Sequence, residues 1–506
     1  MRNLAIATWF CCAALLAACS GPATGANTAA LPLAAQSRHA QPPVVRVVAD
    51  PHGALVSSDD FGGSLDTWYD FTQSFVAPSL RGARMHLVRF PGGSESDAYH
   101  WENGGSLCDG MGYITPNATF DHLMEDVAQP LHIDIAITLN YGSNLTCNGG
   151  GEPSEAGAWV AYAKSKGYNV RYWTVGNEVY GSWEYDLHTP AHDPTTYSNA
   201  VRTGYYPAVK AADASVKLGV VVDTPNDTAW NDVVLKQAAP FDFVELHYYP
   251  EYTASASQSN DNDAFLLGPA IEKFASDLAG LRKQMTAAGV ASSVPIYLGE
   301  YNSDAGTMGK QSVSIVNGLF LGQMIGTAIN AGVPMATWWV AYGSCDQSGG
   351  DYSSSLYGWQ NFGSEALFSD GLPDSYEGCA TTPTIPGGTP FPPARVLSLY
   401  AHSVPAGSRV AHLAYSAGFP QHVRAYAYTT EKGAVLVLFN DTLSPVALDA
   451  RLGYRGTARL ATYDKSDYDL SKNNVWAGPT SRSLGAFSGS AALTLPPYSM
   501  SVLSIE

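Results

Sequence analysis

Val170-Arg171-Tyr172-Trp173-Thr174-Val175-Gly176-Asn177-Glu178 is a run of strand-forming residues that breaks at a glycine and ends on an amide and a carboxylate. Pro295-Ile296-Tyr297-Leu298-Gly299-Glu300 repeats the plan. β-Branched and aromatic residues suit a strand, and the glycine with its polar followers marks where the strand stops. An apolar body with polar groups only at its C-terminal end predicts a parallel sheet covered on both faces, with chemistry on the loops that follow the strands.

Working outward, six further runs share this form. They fall at residues 60–66 (the least strand-like), 85–90, 133–139, 217–222, 243–246 and 336–340. Asn140-Tyr141-Gly142 follows the third strand and His247-Tyr248-Tyr249 the sixth. Between the runs lie helical stretches, clearest at 154–165 and 270–288, with apolar residues at i, i+3 and i+4. Eight strands alternating with helices predict a (β/α)8 TIM barrel, class α/β, over residues 53–392. After about residue 393 helical spacing gives way to short alternating runs such as Ala434-Val435-Leu436-Val437-Leu438-Phe439. These predict a C-terminal antiparallel β-sandwich over 393–506. A strand in segment 44–52, before the barrel, is expected to join that sandwich.

The first residues read as a targeting signal. Arg2 precedes an apolar run over 4–18 that is too short to span a bilayer, which predicts a signal peptide at 1–18. Leu16-Ala17-Ala18-Cys19 resembles a bacterial lipobox, in which the cysteine becomes the lipid-bearing first residue. The alternative is an ordinary signal cut elsewhere. Ser20 is compatible with the outer membrane, and residues 19–43, rich in Ala, Pro, Ser and Gly, read as a flexible tether. The expectation is an exported protein, anchored by lipid to the outer membrane or cell surface, or secreted.

Of seven cysteines, Cys11 and Cys12 lie in the signal and Cys19 is the lipid candidate. Cys108, Cys147, Cys345 and Cys379 remain, and no C-x-x-C pair suggests zinc. Four cysteines allow three pairings. Cys108–Cys147 with Cys345–Cys379 is favoured because each bond then staples neighbouring loops. The net charge of −18 argues against nucleic acid and against an anionic membrane surface as partners. Aromatic residues make up 11% of the chain against 14% charged, more aromatic surface than a core requires. Sugar rings stack on such faces, although ordinary packing also uses them.

The barrel brings Glu178 and Glu300 to one rim. Two carboxyl groups flanking an anomeric carbon are what glycosidic cleavage needs: one protonates the leaving oxygen, the other attacks or activates water. Either glutamate alone is weak evidence, since many loops end a strand with a solvated charge. Both at the ends of strands four and seven form a specific pattern. Burial and the neighbouring Glu300 are expected to raise the pKa of Glu178 so that it starts protonated.

These glutamates, with Asn177 before the first, resemble clan A glycoside hydrolases. Within the clan, Val88-Arg89-Phe90-Pro91-Gly92-Gly93 with Tyr99 and Trp101, then Trp173 to Glu178, then His247-Tyr248-Tyr249, look like the α-L-arabinofuranosidases of family 51. The domain order agrees over roughly residues 44–506. The resemblance implies Glu178 as acid/base and Glu300 as nucleophile. It also implies Asn177 on the sugar 2-hydroxyl, Arg89 and Tyr249 supporting the nucleophile, and His247 beside the acid/base and sugar.

Three positions depart from that family. Ser94 stands where Asn is usual, Asp66 where the first strand usually ends in Glu, and the Trp338-Trp339 pair has no counterpart. Asp66 and Trp338 therefore join the expected substrate contacts. So do Tyr180, Trp183, Tyr185, Tyr352, Tyr357 and Trp359 as aromatic candidates for subsites, with loop packing as the alternative.

The expected activity is retaining hydrolysis of plant-type polysaccharides or oligosaccharides, as an α-L-arabinofuranosidase, by double displacement and without cofactor or metal. β-Xylosidase, β-glucuronidase or endo-glycanase action uses the same plan, and a sugar-binding surface lipoprotein is the non-enzymatic alternative. The membrane is expected as a partner only through the lipid.

Overall fold

The computed structural model describes residues 42–252, 262–306, 309–345, 347–348, 362–372, 379 and 384–506. The signal peptide, Cys19, most of the tether, Tyr352, Tyr357 and Trp359 lie outside the described residues. Among the described residues no helix is long and apolar enough to cross a membrane.

Eight parallel strands close into a barrel. They are, in chain order, Gly62–Ser64, Leu87–Phe90, Asp134–Leu139, Val170–Val175, Lys217–Val222, Phe243–Tyr248, Ile296–Tyr301 and Ala336–Trp338. The first and last are the shortest. Gly62-Gly63-Ser64 presents little side-chain bulk, and the chain leaves the barrel wall soon after Trp338. The helices expected near 154–165 and 270–288 occupy Pro153–Lys166 and Pro269–Ala287. Each carries proline in its first turn, where the missing N–H costs no hydrogen bond.

One irregularity shapes the site. Leu298 pairs with Leu246 and Glu300 with His247, so Gly299 is an extra residue on the seventh strand. Such a bulge re-aims the next side chain. Here it sets Glu300 alongside His247 rather than one position beyond it.

A four-stranded and a six-stranded sheet follow the barrel in sequence. Val44–Val48 lies inside the four-stranded sheet, between His412–Tyr415 and Val446–Arg451. It runs antiparallel to the first and parallel to the second, so the sandwich is not wholly antiparallel. Val45, Leu436, Leu438, Leu448 and Leu503 fill the space between the sheets.

The boundary expected at 393 falls in the first turn of the helix Pro392–Ser403. That helix packs on helix Ile315–Asn330 and on helix Val76–Ala83, which makes it part of the barrel's outer layer. The sandwich strands begin only at Arg409. Helix Ile315–Asn330 is buried on every face and is accordingly mostly apolar. Gly322 and Gly326 lie directly against Phe439 and Tyr426 of the six-stranded sheet.

Both disulfides, Cys108–Cys147 and Cys345–Cys379, are formed. The first joins the loop after the second barrel strand to the loop after the third. The second closes a loop that follows the eighth strand.

Candidate active site

The two carboxylates that close the quoted sequence runs meet at the C-terminal mouth of the barrel. One oxygen of Glu178, one of Glu300 and one nitrogen of His247 all lie within 4.8 Å of one another. Glu178 reaches this position through an unusual backbone. Its φ is +37°, preceded by Gly176 at +76°. A side chain at position 176 would meet Val179 Cγ2 at 2.4 Å, so glycine is needed there. A non-glycine residue at positive φ costs of order 1–3 kcal/mol and persists only where its surroundings enforce it.

Glu300 is held by two donors. Arg89 Nη1 donates to Oε1 at 2.6 Å and Tyr249 Oη donates to Oε2 at 2.8 Å. Arg89 is 1% exposed and spreads its fork over three partners. Besides Glu300, Nη2 donates to Asn177 Oδ1 at 2.7 Å, and Nε lies 3.1 Å from Glu245 Oε1. This planar fork fixes the nucleophile candidate and the amide in one plane, which lysine does not reproduce. Burial and the negative Glu300 push the Tyr249 hydroxyl well above its usual range, so it remains a donor.

His247 links the carboxylates. Nδ1 lies 2.8 Å from Glu178 Oε1 and 3.5 Å from Glu300 Oε2, and Nε2 lies 3.1 Å from Glu245 Oε1. Burial opposes charge on the ring, but Glu300, Glu178 and Glu245 outweigh it and raise the pKa to about 10. His247 is therefore an imidazolium at neutral pH. This corrects the expectation for Glu178. Burial does act to raise that carboxyl, but the hydrogen bond from charged His247, then that of Trp183, bring it below the ordinary value. The resting Glu178 is ionised, and the nearest proton sits on His247.

Both ring nitrogens of His247 face carboxylates, so the Glu178–His247–Glu300 group has no free imidazole to offer a metal ion. The other potential grouping among the described residues, His100 with Cys108 and Cys147, has its two sulfurs bonded to each other.

Asn177 is oriented from both ends. Its Oδ1 accepts from Arg89 and its Nδ2 donates to Glu184 Oε1 at 3.0 Å. Ser94 Oγ donates to the same Glu184 oxygen at 3.1 Å. Burial, then the charge of Glu178, pushes Glu184 up to about 8. Asp66 is buried close by. Burial, Glu95 and Glu300 hold its carboxyl well above the usual range, and its Oδ1 has no protein partner. Gly92 and Gly93 allow the close packing here: a Cβ on Gly92 would lie 2.3 Å from Asp66 Oδ1, and one on Gly93 2.4 Å from Trp339.

The structure thus brings Glu178, Glu300, Asn177, Arg89, His247 and Tyr249 into one hydrogen-bonded network, with Asp66 at its edge. Trp338 is not there. It is 0% exposed and packs outward against Tyr301 and Phe320, with its Nε1 donating to the Glu365 carbonyl. Successive strand residues face opposite sides, so the neighbour Trp339 is the one that faces the mouth. Trp339 lies over Gly92 and Gly93 and donates through Nε1 to Glu365 Oε2 at 2.7 Å.

Sequence reasoning also missed Glu245 and Glu184. Glu245 stands two residues before His247 on one strand, hence on the same face, and a charge inside an apolar strand was the available signal. Thr174 Oγ1 and Arg89 both hold it. Glu184 and Glu365 sit on loops, where spacing carries no such information.

No protein-family model matches the chain. Alpha-L-arabinofuranosidase C of Emericella nidulans is 24% identical over 220 residues, 36% of this chain and 40% of that one. The intracellular exo-alpha-(1->5)-L-arabinofuranosidase of Acetivibrio thermocellus is 24% identical over 213 residues, 38% and 40% of the two chains. The matched segment therefore spans about two fifths of the length of these curated relatives. The crystal structure of alpha-L-arabinofuranosidase from Thermotoga maritima superposes with a TM-score of 0.68 at 17% identity, covering 92% of this chain and 99% of that one. The barrel-and-sandwich fold is thereby shared with arabinofuranosidases of known structure.

Proposed function

We propose that this chain is a retaining glycoside hydrolase acting on α-L-arabinofuranosides, with Glu300 as nucleophile and Glu178 as acid/base. One observation carries the reading: one oxygen of Glu178 and one of Glu300 lie within 4.8 Å of each other. That proximity favours direct attack by one carboxylate, for which the groups stand about 5–5.5 Å apart, over inversion, for which they stand about 6.5–9.5 Å apart. The similarity to arabinofuranosidases supports the choice of sugar.

Arg89 and Tyr249 direct the charge of Glu300 toward the anomeric carbon. Attack forms a glycosyl ester and releases the leaving oxygen, which takes its proton from Glu178. Glu178 first takes that proton from solvent. Trp183 Nε1 donates to its Oε2 at 2.9 Å; a bound substrate that excludes water and displaces this donor raises the carboxyl's pKa. Once Glu300 is esterified its charge is gone. Glu178, ionised again and still beside His247, then takes the proton of the incoming water. Asn177, with its amide orientation set by Arg89 and Glu184, offers its remaining N–H to the sugar 2-hydroxyl.

A panel of 4-nitrophenyl glycosides tests the assignment. Turnover of the α-L-arabinofuranoside above the β-xyloside and β-glucuronide is expected. A clear pyranoside preference rejects the sugar, and silence on the whole panel supports a binding protein. Lipid anchoring through Cys19 belongs to the same proposal, and the mature N-terminus should carry an acylated cysteine by mass spectrometry. An unmodified residue between 20 and 43 contradicts it.

A further inference from the structure

Glu245 stands in the middle of the barrel strand Phe243–Tyr248 and is 1% exposed, a costly place for a charge unless it is well paired. Its partners come from three strands. Thr174 Oγ1 of the fourth strand donates to Oε2. Arg89 Nε of the second strand and His247 Nε2 of its own strand each lie 3.1 Å from Oε1. Room for that oxygen depends on the bulged Gly299, where an added Cβ would lie 2.2 Å from Oε1. The two partners of Oε1 lead to opposite arms of the site. Arg89 continues to Glu300 Oε1 and Asn177 Oδ1, and His247 continues to Glu178 Oε1.

We infer that Glu245 is a positioning residue for both halves of the reaction: its one oxygen Oε1 registers the Arg89 fork that holds the nucleophile against the His247 ring that holds the acid/base. This rests on the glycoside-hydrolase reading and deepens it with a residue that acts only through two others. Strand pairing sets Arg89 and His247 at their backbones, and the heads of such side chains need a common anchor to hold a productive geometry. Glu245 also fixes the state of the ring. Nδ1 faces Glu178 and Nε2 faces Glu245, so a lone pair on either nitrogen would oppose a negative oxygen. The arrangement therefore favours hydrogens on both, which is the charged ring. The other charged or titratable groups around it are Glu300 at 3.5 Å, Glu184, the Arg89 guanidinium that shares Glu245 Oε1, and the Tyr249 hydroxyl on Glu300. Of these carboxylates, Glu178 and Glu300 change charge or bonding during the reaction, whereas Glu245 keeps its place behind the ring throughout.

The test reads the ring and the rate separately. Glu245→Gln keeps the shape of the side chain and removes its charge. Nitrogen NMR of histidine-labelled protein follows the ring, its signal identified by its loss in His247→Gln. In the unaltered protein both ring nitrogens should stay protonated through neutral pH, because the midpoint is pushed up to about 10. In Glu245→Gln the midpoint should fall by about one pH unit or more, the effect of one close counter-charge. The kcat should fall about tenfold or more while KM changes less than about twofold, since Glu245 meets no substrate and its loss misplaces groups that act in the transition state. Glu245→Asp carries the test should the glutamine variant fail to fold. It keeps the charge and draws it back by one methylene, so the ring should stay charged while kcat still falls. An unchanged His247 midpoint in Glu245→Gln, or an unaltered kcat in either variant, overturns the inference and leaves the hydrolase reading intact. If the unaltered protein cleaves no glycoside, the hydrolase reading itself fails and this inference falls with it.

Discussion

Replacing Arg89 with methionine keeps most of the side-chain volume and removes a fully buried cation. Its nitrogens lie 2.6 Å from Glu300 and 3.1 Å from Glu245. At an effective dielectric of about 20, unit charges at such distances attract by about 5–6 kcal/mol each, before the cost of desolvating the guanidinium is subtracted. Removing one partner of a buried ion pair costs about 3–5 kcal/mol in practice, because the other charge is left without compensation. Two carboxylates lose their partner here and only His247 remains, so Arg89→Met should cost at least the middle of that range. The loss should depend on pH. Burial raises Glu245, but Arg89, then His247, hold it below its ordinary value. A carboxyl depressed in the folded state contributes stability above its unfolded pKa and loses it as pH falls through the folded pKa. The gap between wild type and variant should therefore be wide at pH 7 and narrow toward pH 4. Urea titrations at both pH values, followed by tryptophan fluorescence, measure it. A gap below about 1 kcal/mol at pH 7, or one that grows on acidification, refutes the reasoning.

Other perturbations give distinct signatures. Cys108→Ser with Cys147→Ser opens a loop of sequence separation 39, and chain entropy puts the loss near 4 kcal/mol; an unchanged urea midpoint after the double substitution contradicts a stapling role. Glu184 is raised to about 8, so the folded state holds its proton between roughly pH 4.5 and 8 while the unfolded chain does not. Stability from this group falls as pH rises across that window. Glu184→Gln should flatten that part of the profile, and an unaltered slope counts against a buried neutral acid. Asn177→Ala should lower kcat/KM by tenfold or more on the natural sugar and far less on its 2-deoxy analogue, whereas equal losses exclude the 2-hydroxyl contact.

The barrel was legible because its strands are apolar runs that end abruptly. Val170–Val175 and Lys217–Val222 match their expected bounds, since each has a clear terminator. The helix Pro392–Ser403 falls within the range expected for the sandwich because clear helical spacing fades in the sequence there, and its packing against helix Ile315–Asn330 is a tertiary fact. In the site, residues adjacent to strand ends were readable: Asn177 and Glu178, His247 and Tyr249, Glu300. Trp338 was mistaken for Trp339 because two adjacent tryptophans give no sign of which one faces inward. The protonation of the site was not readable either. A glutamate near another glutamate suggests a raised pKa, and only the placement of His247 between Glu178, Glu245 and Glu300 reverses the direction for Glu178.

The assignment of Glu300 as nucleophile and Glu178 as acid/base is tested most directly by azide rescue. Glu300→Ala should abolish turnover of every glycoside in the absence of azide, and any azide product it forms should have inverted configuration, because azide then stands in for the missing nucleophile in a single displacement. Glu178→Ala should still form the glycosyl-enzyme from a substrate with an activated leaving group, because departure then needs no acid. Azide, which needs no general base, should restore turnover and release a glycosyl azide of retained configuration, read by proton NMR. An azide product of inverted configuration from Glu178→Ala, or equal inactivation of the two variants with no rescue of either, contradicts the account.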